Sequence, residues 1–70
     1  MIAEVLQVIA EYADVPVDPA QPLELSSLEL VQLAEALEAR FGFVIGAREL
    51  NRENFSSATT IAGFVARKIK

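Results

Sequence analysis

The chain has no cysteine and no histidine. The first absence excludes disulfides and any thiol chemistry from the chain's own side chains. The second removes the usual general base near neutral pH and the commonest metal ligand. No basic residue occurs before Arg40, and no apolar run approaches the ~18–20 residues needed to span a bilayer. The glycines, Gly42, Gly46 and Gly63, are isolated, so there is no phosphate-cradling glycine loop. No positively charged segment opens the chain. A signal peptide is therefore not expected, and the expected location is cytoplasmic.

What is present bounds the answer from the other side. Seventy residues make a single domain, 1–70, with little room for both a substrate pocket and a catalytic apparatus. Apolar residues make up 53%, which favours a compact chain over a disordered one. Through residue 39 the acids Glu4, Glu11, Asp14, Asp18, Glu24, Glu29, Glu35 and Glu38 stand without a base. From Arg40 onward six bases face Glu49 and Glu53, so −8 and +4 give the net −4. The acidic part repels nucleic acid and suits basic protein surfaces, although a solubilising charge explains it equally well.

Ile2, Val5, Leu6, Ile9 and Tyr12/Ala13 recur at three- and four-residue steps, which predicts an amphipathic helix over 2–13. Residues 14–25 hold all three prolines, Pro16, Pro19 and Pro22, and read as an extended connection. Val15, Val17 and Leu23 are expected to dip from it onto the core.

Ser26, followed three residues later by Glu29, fits a capping box and starts a helix running to Phe41. Stepping about 100° per residue, Leu30, Leu33, Ala34, Leu37 and Phe41 share the core face. Leu28 and Val31 point away, beside Glu35. They form a contact patch for another protein, unless the preceding loop covers them.

Gly42 suits the left-handed residue that ends a helix. Phe43-Val44-Ile45 reads as a loop packed on the core, and Ala47–Asn54 as at most a short helical turn. Ser57 caps a last helix, 58–69, with Ile61, Phe64/Val65 and Ile69 inward. Arg67, Lys68 and Lys70 complement its dipole. The fold class is all-α: a small bundle of three to four helices, with a long first loop and a short third helix.

Catalysis by these residues alone is not expected. A serine nucleophile has no histidine base, and the glutamates are spaced along a solvated helix face. A small enzyme using paired carboxylates would need inward-facing acids, which the helical phase of Glu29, Glu35 and Glu38 opposes. Metal-ligand spacing is absent. Ser27, however, stands at a helix start, where a phosphodiester attached to it would meet free N–H groups and the favourable end of the helix dipole.

The run Leu23-Glu24-Leu25-Ser26-Ser27-Leu28 resembles the attachment motif of the acyl and peptidyl carrier proteins, Leu-Gly-hydrophobic-Asp-Ser-Leu. The likeness continues through Glu29-Leu30-Val31-Gln32-Leu33, Ala36–Gly42, Ile45, Asn54-Phe55 and Ile61–Val65, and so covers essentially the whole chain. It implies an acyl-carrier-type bundle with 4′-phosphopantetheine on Ser27, added by a phosphopantetheinyl transferase. It implies a docking surface at Glu24, Leu28, Glu29, Val31, Glu35 and Glu38. Its partners would be acyl- or aminoacyl-loading and -processing enzymes with basic patches, with no nucleic acid and no membrane span, and the chain itself a monomer. Two departures bear on recognition: Ser26 replaces the motif's aspartate, and Glu24 its glycine. Both Ser and Asp cap helices well, so the change alters charge more than fold. The alternative is a helical interaction module that keeps this fold without a cofactor.

Overall fold

The computed structural model describes residues 2–69. Lys70 and the side chain of Ile2, both assigned roles above, lie outside the described set. Three helices carry the fold: α1, Ile2–Ala10; α2, Ser27–Phe41; and α3, Ala58–Lys68. The architecture is all-helical, with no strand among the described residues beyond one antiparallel bridge between Pro22 and Ser57. None of the described helices is long and apolar enough to cross a membrane.

The first helix is shorter than its periodicity predicts. After Ala10 the N–H groups of Glu11 and Tyr12 bond to Val8 and Ile9, three residues back, and the chain tightens into a turn. What α1 does bury is central. Val5, Val8 and Ile9 are inaccessible to solvent or nearly so, and α1 packs against both α2 and α3. Leu33 and Leu37 from α2, and Ile61 and Val65 from α3, complete the core with it. Phe64 extends that core outward. It sits 5.5 Å from Phe55 and 6.4 Å from Phe43, ring centre to ring centre, the latter edge-on.

No short helix forms between α2 and α3. Side chains there bond to nearby backbone and supplant a helical ladder. Glu49 Oε1 accepts from Gly46 N–H at 2.9 Å, and Asn51 Oδ1 from Asn54 N–H at 2.8 Å. The Asn51 and Asn54 amides donate to the carbonyls of Arg48 and Glu49, both at 2.9 Å. Lys68 of α3 reaches both oxygens of Glu49, at 2.9 and 3.1 Å, and ties the segment to the bundle.

Two further expectations fail. Val17 is fully exposed (103%) and holds nothing down. The long first loop is instead fastened by backbone bonds, Leu23 N–H to Ser56 O at 2.8 Å and Thr59 N–H to Pro19 O at 3.0 Å. Ile69, the cap residue beyond the last turn of α3, is 41% exposed and stays off the core although its N–H still bonds to Val65 O at 3.1 Å.

Candidate functional site

The start of α2 is built by reciprocal bonds. Ser26 has extended backbone (φ −72°, ψ 166°), and its Oγ accepts from Glu29 N–H at 3.1 Å. Glu29 Oε1 accepts in return from Ser26 N–H at 2.9 Å. The capping box expected from sequence is thus complete. The bond from Ser26 N–H, followed by that of the Ser26 side chain, holds the Glu29 carboxyl below its ordinary value of 4.5.

Ser27, one residue on, is exposed, and none of these bonds uses its hydroxyl. The N–H groups of Ser27 and Leu28 fall in the first turn, where no carbonyl of the helix can accept them. An exposed hydroxyl beside two free backbone donors is a fitting place for a phosphate-bearing group.

The acids and aliphatics around it divide into two sets. Leu28 is 66% exposed and Val31 41%, so the preceding loop does not cover them. Glu24 and Glu35 are also exposed. Glu29 and Glu38, by contrast, already serve the fold. One oxygen of Glu29 closes the cap, and Glu38 Oε2 accepts from Ile45 N–H at 2.6 Å. Glu38 thereby anchors the chain just after the Gly42 turn.

Two clefts flank this helix start, sharing Pro22 and Leu23 as a common wall. The larger, about 430 Å³, has the carboxylates of Asp14, Glu24 and Glu29 around it. The smaller, about 210 Å³, is lined by Leu23, Leu25, Leu30, Phe55 and the side chain of Arg52. Arg52 Nη1 donates to Leu25 O at 3.1 Å and so brings a cation from the basic part of the chain to the edge of the acidic one. Arg52 was not among the sequence candidates. Its approach spans 27 residues, and no local spacing signals it. No group of acids able to hold a metal ion occurs among the described residues. Compared with family models, curated proteins and solved structures, the chain matches none.

Proposed function

We propose that this protein is a carrier of the acyl or peptidyl type, bearing 4′-phosphopantetheine on Ser27 and without catalytic activity of its own. The observation that carries the reading is the division of labour between adjacent serines. Ser26 Oγ is engaged in the helix cap, while the Ser27 hydroxyl is exposed and uncommitted beside free N–H groups. The arm's terminal thiol would supply what a cysteine-free chain lacks, holding an acyl or aminoacyl group as a thioester. The chain's part is to present the serine to a phosphopantetheinyl transferase, to favour the phosphodiester at a helix N-terminus, and to be recognised by partners.

Recognition falls to Leu28, Val31, Glu24 and Glu35, which are exposed. An apolar pocket rimmed by basic residues on a loading or processing enzyme would complement them, in fatty-acid, polyketide or peptide-type biosynthesis. Glu29 contributes its charge while remaining in the cap, and Glu38 acts mainly on the fold.

Incubation with coenzyme A and a broad-specificity transferase tests the reading. Intact mass should rise by one arm, Ser27→Ala should abolish the rise, and Ser26→Ala should leave it. Modification of Ser26, or none with several transferases, would overturn the assignment. One observation favours the rival, a cofactor-less interaction module of the same fold: the exposed Leu28–Val31 pair needs no modified serine. That rival expects partner binding to survive Ser27→Ala and to fail with Leu28→Asp or Val31→Asp.

A further inference from the structure

The two clefts beside α2 differ in the charge they present, and the helical phase decides which one Ser27 faces. At about 100° per residue, Ser27 falls on the same flank as Val31, Ala34 and Glu38, next to Leu30. Glu38 on that flank bonds to Ile45, so the flank faces the segment that joins α2 to α3. Glu29 and Arg40 lie on the opposite flank. Glu29 borders the acidic cleft, and Arg40 bonds to Gln7 of α1. A group on Ser27 therefore lies nearer the small apolar cleft and Arg52 than the larger acidic one.

Charge points the same way. A phosphodiester carries a negative charge, which Asp14, Glu24 and Glu29 around the larger cleft oppose. Arg52 gives one N–H to Leu25 O, and a guanidinium has five such donors. Most of its fork is left for an anion, the geometry in which arginine binds phosphate best. Size limits what else enters. The cleft's 210 Å³ is below the ~300–1,000 Å³ of sites for drug-sized ligands, so it suits one branched apolar segment and not a long chain.

Resting on the carrier reading, we infer that Arg52 is a positioning residue for the arm. It pairs with the phosphodiester on Ser27, and the dimethyl-branched segment next to the phosphate lies against Leu23, Leu30 and Phe55. The arm then leaves the protein from the α2–α3 side, which keeps Leu28 uncovered for a partner.

The experiment compares nuclear magnetic resonance spectra of the full chain before and after enzymatic modification, with intact mass verifying one arm per chain. In the wild type, modification should shift the Leu23 and Leu30 methyl and Phe55 ring signals, and the Arg52 side-chain N–H. Arg52→Gln, which keeps a polar side chain but no charge, should lose most of those shifts and change the phosphorus resonance. Arg52→Lys should restore part of both. A singly modified wild type whose shifts are confined to Ala13, Asp14, Gln21 and Glu24 would overturn the inference. So would identical modification shifts in all three proteins. A chain that takes no arm at Ser27 fails at the earlier step and removes the carrier reading itself.

Discussion

At Ser26 the hydroxyl and the backbone N–H are both engaged with Glu29, and the neighbouring Ser27 is left to the solvent. Ser26→Ala should therefore cost about 0.5–2 kcal/mol of stability, while Ser26→Asp should preserve the cap, as urea denaturation would measure. Glu29 adds a pH dependence with a definite sign. Its carboxyl titrates below 4.5 in the folded chain and near 4.5 when unfolded. Its contribution is thus complete above pH 4.5 and is lost as pH falls through the lowered folded value. Glu29→Gln should keep the cap and remove the titration. Thermal melts of the variant should then fall less than the wild type's below pH 4.5. The Ser26–Glu29 pair was legible in the sequence because a capping box is local, its partners three residues apart. Arg52 was not, because only tertiary folding brings it to Leu25.

Among the elements, two glycines have opposite consequences. Gly42 closes α2 in the left-handed region at φ 72°, its N–H bonded to Glu38 O, and a side chain there would meet no atom within 4 Å. The cost of Gly42→Ala is then backbone strain alone, about 1–2 kcal/mol. Gly63 lies inside α3 with no positive φ, and a Cβ there would touch only the tip of Arg67 at 3.9 Å. Gly63→Ala should stabilise the protein by about 0.5–1 kcal/mol. Chemical denaturation of the pair would show the opposite signs. The helices themselves were readable because caps, a terminal glycine and apolar periodicity agree. The segments between them were not. A proline-rich loop has no periodicity to say that Val17 faces water, and residues 47–54 satisfy their backbone through Glu49, Asn51 and Asn54 side chains. The α1 boundary slipped for a related reason, since Tyr12 and Ala13 pack on the core from a turn that keeps nearly helical spacing.

For the molecule as a whole, α1 is the shared neighbour of the other two helices, and Ile9 within it is wholly buried. A chain of this length is expected to have about 4–10 kcal/mol of total stability. Ile9→Ala should remove about 2–5 kcal/mol of it, a large share of the total, and lower the midpoint of thermal unfolding followed by circular dichroism. The surface of the bundle is held by contacts of another kind. Ser57 caps α3 through Thr60 N–H and also pairs with Pro22, beside the bond from Leu23 N–H to Ser56 O. Helix initiation and loop closure therefore fall on the same five residues, 56–60. In native-state hydrogen exchange, the amides of Leu23, Thr59 and Thr60 should open as one cooperative unit, at a common free energy and with a common response to denaturant. The ends of two segments more than thirty residues apart would thus behave as a single foldon.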